Sequence, residues 1–139
     1  MALALVAFTG NPDIASDAVA EAFAQLIRRG RAVRNPARWV WRVAYRVAAG
    51  QLQERPTTEA ASMSLDASEA VERHADLMRA LAQLPQRQRA AIVLYYLVDL
   101  PTREIATTLG ITPATVRVLL LQGRHHLREL LGGPDGRSA

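Results

Sequence analysis

Apolar positions recur at helical spacing along most of the chain, and no stretch alternates convincingly enough to be a strand. Over residues 12–29, Ile14, Ala18, Val19, Ala22, Phe23, Leu26 and Ile27 give one apolar stripe, and Gly30 ends it. The loop GRAVRNP leads into a second helix over 37–53, with Trp39, Val40, Val43, Ala44 and Val47 on one face. Residues 54–70, ERPTTEAASMSLDASEA, are rich in Ser, Thr, Ala and acids and have little periodicity, which predicts a linker, partly helical near its end. Helices are predicted over 71–84, 87–98, 102–109 and 113–131, and the tail GGPDGRSA is expected to fray. The N-terminal MALALVAFT is apolar but lacks a positive n-region and is too short to cross a bilayer. It reads as a helix, not a signal peptide. The fold class is all-α: two small helical domains, 1–53 and 71–132, joined by the 54–70 linker and followed by a flexible tail over 133–139.

The most specific local pattern is residues 100–131, which predict a helix, a tight turn and a second helix. Pro101 suits a first helical turn, where its missing N–H costs nothing. Ile105, Ala106 and Leu109 form an apolar face, and Gly110 suits the left-handed residue that ends a helix. Thr112 and Pro113 then supply an N-cap and a first-turn proline. Val116, Leu120, Gly123, Leu127, Leu130 and Leu131 continue as the inward side of the last helix. This is the layout of a helix-turn-helix, whose second helix enters the DNA major groove.

Charge sharpens the picture. All 17 basic residues are Arg, and the net charge is +4. Residues 1–52 carry seven Arg against three acids, 53–76 two against six, and 77–139 eight against four. Two basic blocks flanking an acidic middle suit two DNA-facing modules joined by a segment that avoids DNA. There is no cysteine, which excludes disulfides and thiolate zinc sites and fits a reducing cytoplasm.

Two surfaces are candidates for function. On the last helix, Arg117, Val118, Leu121, Gln122, His125 and Arg128 fall opposite the apolar side, with Arg124 at the border. Thr112, Thr115, Arg117, Gln122 and Arg124 are the expected DNA contacts, to phosphates or base edges. Val118 and Leu121 fit thymine methyls or a protein contact equally well. The second surface combines Trp41, Arg42, Tyr45 and Arg46 with the loop-proximal Arg31, Arg34 and Arg38. Rings interleaved with Arg suit single-stranded DNA, although Trp41 and Tyr45 fit packing against a neighbouring helix as well. His125 and His126 point different ways on a helix and have no clustered co-ligands, so no metal site is expected. No Gly-rich phosphate loop, supported Ser/His/Asp pattern or HExxH appears, so neither enzymatic catalysis nor a cofactor is expected.

Together these pieces resemble the extracytoplasmic-function (ECF) type of sigma factor of bacterial RNA polymerase. The strongest similarity lies in ALAQLPQRQRAAIVLYYLVDLPTREIATTLGITPATVR (80–117) and RHHLRELL (124–131), with Leu-Pro-x-x-x-Arg, Asp-Leu-x-x-x-Glu-Ile-Ala, Leu-Gly-Ile-Thr and Thr-Val-Arg at the family's spacings. GNPDIASDAVAEAF (10–23) looks like the family's clamp-binding helix, which implies polymerase contacts at Asp17, Glu21 and Phe23. NPARWVWRVAYRVA (35–48) looks like the helix that holds and melts the -10 element. The resemblance implies a cytoplasmic protein without a membrane span. Its implied partners are core RNA polymerase, double-stranded promoter DNA, single-stranded -10 DNA, and an anti-sigma or other regulatory protein.

The departures also carry information. Most of the family's first helix is missing from the eleven residues before Pro12. Ile14 and Ala20 replace usually polar residues, the -10 helix ends in GQLQERP instead of a basic run, and Val118, Leu119 and Gln122 stand where polar or basic residues are usual. Fewer charges paired with phosphates mean lower affinity and a flatter salt dependence. Two readings follow: a divergent sigma factor acting at promoters, or a sigma-like regulatory or co-sigma binding protein without full promoter-melting activity.

Overall fold

The computed structural model describes residues 2–54 and 75–136, with no strand among them. The chain divides into two compact units, Met1–Met63 and Ser64–Ala139. The first holds α1 (Ala2–Thr9), α2 (Pro12–Arg29), a 3-10 turn (Gly30–Ala32) and α3 (Pro36–Glu54). The second holds α4 (Ala75–Ala82), α5 (Gln86–Ile92), a π turn (Val93–Leu97), α6 (Thr102–Leu109) and α7 (Pro113–Gly136). The expected linker lies, apart from Glu54, outside the described residues.

In the first unit, Leu5 and Phe8 of α1 are almost fully buried with Ile14, Ala18 and Ala22 of α2 and Val40, Ala44, Ala48 and Leu52 of α3. Burial of a Leu or Phe contributes about 1.5–3 kcal/mol, so the short α1 is a core element. Small alanines on the facing sides of α2 and α3 let the backbones approach closely. The α1–α2 corner is closed by polar bonds. The Thr9 hydroxyl donates to the Leu5 carbonyl at 2.7 Å and accepts from the Asn11 N–H at 3.1 Å. Asn11 Oδ1 then caps α2 by accepting from the N–H groups of Asp13 and Ile14 at 2.9 and 3.2 Å.

In the second unit, Met78 and Leu81 of α4, Ile92 and Val93, Ile105 of α6, and Val116 and Leu120 of α7 form the core. The buried Arg89 closes the end of α4, its Nη1 donating to the carbonyl of Leu84 at 2.9 Å and more distantly to that of Ala82 at 3.5 Å. Gly123 lets α5 and α7 lie close together. A Cβ added there would stand 2.8 Å from Ile92 Cγ1.

Several expected features differ. On α3 the buried positions are Val40, Ala44, Ala48 and Leu52, whereas Trp39, Val43 and Val47 are half-buried on the flank. The small Ala44 and Ala48 take the closest contact and push the larger residues to its sides. Phe23 and Ile27 end the apolar stripe of α2 exposed, at 46% and 79%, because α1 and α3 cover its Ala15–Ala18–Ala22 side instead. The expected helix over 87–98 is α until Ile92 and then widens. The Val98 N–H reaches back to the Val93 carbonyl at 3.1 Å, and Asp99 adopts a positive φ of 64° to turn the chain towards Pro101. Leu130 and Leu131, expected inward, are exposed, because α7 outruns the helices packed against it. The helix also continues to Gly136, in place of the frayed tail expected from 132. Once a helix is nucleated each added residue closes a further bond, and the glycines of left-handed φ are Gly10, Gly30 and Gly110 among the described residues.

Candidate nucleic-acid interface

α6 and α7 are joined across Gly110–Thr112 and bent by 99° relative to one another. That is within the range of a helix-turn-helix. The turn is made by Gly110 at φ 73° and ψ 35°, whose N–H donates to the Ala106 carbonyl at 2.8 Å, as does that of Ile111 at 3.0 Å. Ala106 and Ile105 are buried beneath it and Val116 holds α7 from the other side. The start of α7 is therefore fixed from both directions.

Thr112 caps α7: its hydroxyl accepts from the Thr115 N–H at 3.1 Å and lies 2.8 Å from the Thr115 hydroxyl. Both threonines are exposed, as are Arg117, Val118, Leu121 and Gln122 one and two turns further on. Four of the five expected contacts, Thr112, Thr115, Arg117 and Gln122, thus stand on the exposed surface of this helix. Arg124 is half-buried, its Nη1 donating to the Tyr96 hydroxyl at 3.0 Å, so the π turn holds it beside α5.

Gln88 is a buried residue for which the sequence offered no functional reading. Its Nε2 donates to Gln122 Oε1 at 3.4 Å, and its Oε1 lies 2.7 Å from His126 Nδ1. The signal was present in principle, since Gln88 occupies an otherwise apolar inward position of α5, but its partners lie 34 and 38 residues away. His125 instead pairs with Glu129 at 3.3 Å, one turn along the helix. Among the described residues no cluster of His, Cys, Asp or Glu is arranged to hold a metal ion.

Beside the C-terminal half of α7 lies an apolar groove of about 1020 Å³, lined by Leu77, Leu81, Val93 and Leu127 and rimmed by Arg124 and Arg128. Val118 and Leu121 are 51% and 61% exposed on the same helix.

In the first unit, Asn35 caps α3, its Oδ1 accepting from the Arg38 N–H at 3.3 Å. Arg38, Arg42 and Arg46 follow at intervals of one turn, Arg38 and Arg46 exposed and Arg42 half-buried with its Nε enclosed. Arg31 and Arg34 are exposed on the preceding loop. Trp41 and Tyr45 do not project freely as a stacking platform. Both are half-buried, and the Tyr45 ring packs on Phe8 with centroids 4.9 Å apart, because the close α1–α3 contact claims that flank. Trp39 instead lies under the Arg29 guanidinium, 5.6 Å from the ring centroid.

The three residues expected to meet polymerase do not form one patch. Asp17 is exposed and Glu21 half-buried one turn along the same flank of α2, and Phe23 projects on the other flank. Glu21 also accepts from Gln25 Nε2 at 2.8 Å and pairs with Arg28 at 3.4 Å.

Residues 74–127 match the family model described as Sigma-70, region 4. The chain is 42% identical over 65 residues to the ECF RNA polymerase sigma factor SigE of Mycolicibacterium smegmatis, covering 47% of this chain and 25% of that protein. It is 37% identical over 90 residues to the RNA polymerase sigma-E factor of Streptomyces avermitilis, covering 63% of this chain and 49% of that one. The Streptomyces coelicolor sigma-E factor is 36% identical over 90 residues, covering 63% and 50%. The matched region is thus half or less of the length of these relatives. The fold is similar to that of the sigma factor RpoE in its co-crystal structure with the anti-sigma factor NepR from Bartonella quintana. The TM-score is 0.74 at 19% identity, covering 95% of this chain and 89% of that one.

Proposed function

From a chain whose residues 74–127 match the sigma-70 region 4 model and whose sequence relatives are RNA polymerase sigma factors, one of them of the ECF type, we infer a protein that brings core RNA polymerase to promoter DNA. In this reading α7 enters the major groove of the -35 element with Thr112, Thr115, Arg117 and Gln122 towards the DNA, and Arg124 beside them. The first unit meets the -10 element through Arg31, Arg34, Arg38, Arg42 and Arg46. Trp41 and Tyr45, both half-buried, act as supports of this surface. Asp17 and Glu21 contact the polymerase from one flank of α2, and Phe23 from the other. In this reading the chain supplies binding energy and position.

The observation that carries this reading is the start of α7, pinned by the left-handed Gly110 on one side and by the Thr112 cap on the other, with its outward face open. A recognition helix must be fixed at this end to place side chains on base edges. Run-off transcription with core polymerase, with and without this protein, tests it. A protein-dependent transcript from a defined start supports the reading. Its absence, together with duplex binding that stays non-specific and salt-sensitive, overturns it.

A second reading is favoured by the exposed Val118 and Leu121 and by the apolar groove, which suit a protein surface. In it the chain is a sigma-like binding protein acting with a regulatory partner, an anti-sigma factor or a co-sigma subunit. Leu121→Glu separates the two: loss of partner binding with DNA binding retained favours the second.

A further inference from the structure

We propose that the buried Gln88, bonded to the half-buried His126, fixes the orientation of the Gln122 side-chain amide, presenting its NH2 group to the major groove and making Gln122 a reader of guanine. The proposal rests on the DNA-reading role of α7 and adds to it a base identity and two positioning residues.

The arrangement begins at Gly123. With no side chain there, α5 lies against α7 closely enough that the Gln88 carbonyl is 3.6 Å from where a Cβ of residue 123 would be. Gln88 is thereby held between the residues flanking that gap, Gln122 and His126, and is 91% buried there. Gln88 Oε1 lies 2.7 Å from His126 Nδ1, and because an amide oxygen only accepts, this pairing goes with the Nδ1–H tautomer of the histidine. Turning the Gln88 amide over would set its NH2 against that N–H, donor against donor. With the Nδ1–H tautomer, Gln88 Nε2 faces Gln122, and the acceptor it meets at 3.4 Å is Gln122 Oε1.

This has a consequence at the exposed end of the chain of bonds. An unconstrained glutamine offers one acceptor and one donor group and matches adenine, which presents N7 as acceptor and N6 as donor. Gln122 has its oxygen turned inward, so its outward group is the NH2 alone. The major-groove edge that offers two acceptors and no donor is that of guanine, N7 and O6. The inward bond converts an adenine-matching side chain into a guanine-matching one, without a change of residue at position 122.

The test uses the full-length protein and duplexes selected by it from a randomised pool, followed by affinities for single-base variants of the selected site. Guanine is expected at one position, and Gln122→Ala should erase the preference there. Gln88→Glu keeps the size of the side chain and its bond from His126 but can no longer donate to Gln122. The Gln122 NH2 should then turn inward and expose Oε1. Preference at the same position should move from guanine towards cytosine or adenine, which present donors, by about fivefold or more, the scale of one base contact. Gln88→Leu, which makes neither bond, should broaden it, as should His126→Gln at the half-buried end of the chain.

Nitrogen-15 NMR of the free protein gives a readout independent of DNA. The Nδ1–H tautomer of His126 is expected in the wild type and in Gln88→Glu, and its loss in Gln88→Leu. If Gln122→Ala erases the guanine preference while Gln88→Glu leaves it unchanged, the positioning role is overturned and the DNA-reading role stands. If the wild type selects no base at any position, both fall.

Discussion

The Arg89 guanidinium donates to the main-chain carbonyl of Leu84 at 2.9 Å, from a side chain that is itself buried. The bond holds the Leu84–Pro85 corner, where α4 ends and α5 begins. Replacing Arg89 with Met removes the donor and leaves the Leu84 carbonyl enclosed without it. A loss of about 1.5–3 kcal/mol is expected, the scale of a charged hydrogen bond. Urea unfolding followed by circular dichroism measures it, and a midpoint equal to wild type would remove Arg89 from the stability of this unit.

Gly123→Ala places a methyl group where Ile92 already stands, 2.8 Å from its Cγ1. Overpacking of this kind costs about 1–3 kcal/mol, partly relieved if the Ile92 side chain shifts. The melting temperature should fall in Gly123→Ala and recover in part when Ile92→Val is added, since that change removes an atom from the crowded side. A double mutant no more stable than Gly123→Ala would place the strain elsewhere.

Arg117 is exposed on the open face of α7. If it meets a base, Arg117→Ala should weaken binding by about 1–3 kcal/mol and relax specificity at a single position. If it meets only phosphate, binding should weaken equally for all sequences, and the slope of log affinity against log salt should fall by about one. Titrations of one selected and one scrambled duplex at several salt concentrations distinguish these outcomes, and indifference in both would exclude Arg117 from the interface.

Asp17 stands exposed in the second turn of α2, away from the buried Ala15–Ala18–Ala22 side. Asp17→Arg should leave the helical content and melting temperature near wild type while lowering co-purification with core polymerase through charge reversal. Undiminished co-purification would move the polymerase contact off this flank, leaving the exposed Phe23 and Ile27 on the other side as its remaining position on α2.

The helix-turn-helix was legible because its signals are local. Gly110, Thr112 and Pro113 each dictate backbone geometry within a few residues, and the structure realises each of them, whereas Pro101, expected in the first turn of α6, stands one residue earlier as its extended N-cap at ψ 156°. Helix faces were legible only where size and burial coincide. On α3 they do not, since Ala44 and Ala48 lie deepest and Trp39 and Val43 are displaced to the flank. Periodicity ranks a Trp above an Ala, whereas close backbone approach ranks them the other way. The bonds beside the candidate site were hidden for a different reason. Gln88, Gln122 and His126 meet only once α5 and α7 have packed, and Tyr96 reaches Arg124 across 28 residues of sequence. The π turn was equally silent, because its sequence, VLYYL, is as apolar and periodic as an ordinary helical turn.

The contact between Phe8 and Tyr45 gives α1 a significance out of proportion to its eight residues. Tyr45 lies on the same helix as Arg38, Arg42 and Arg46, and its ring rests on a side chain supplied by α1. That short helix is therefore a splint for the basic ridge as well as a filler of the core. Losing Phe8 would take from Tyr45 the ring it rests on, in the stretch of α3 that carries Arg42 and Arg46. In the role proposed for it at the -10 element, a ridge that wobbles would pay the entropy of ordering at each encounter with a charged strand.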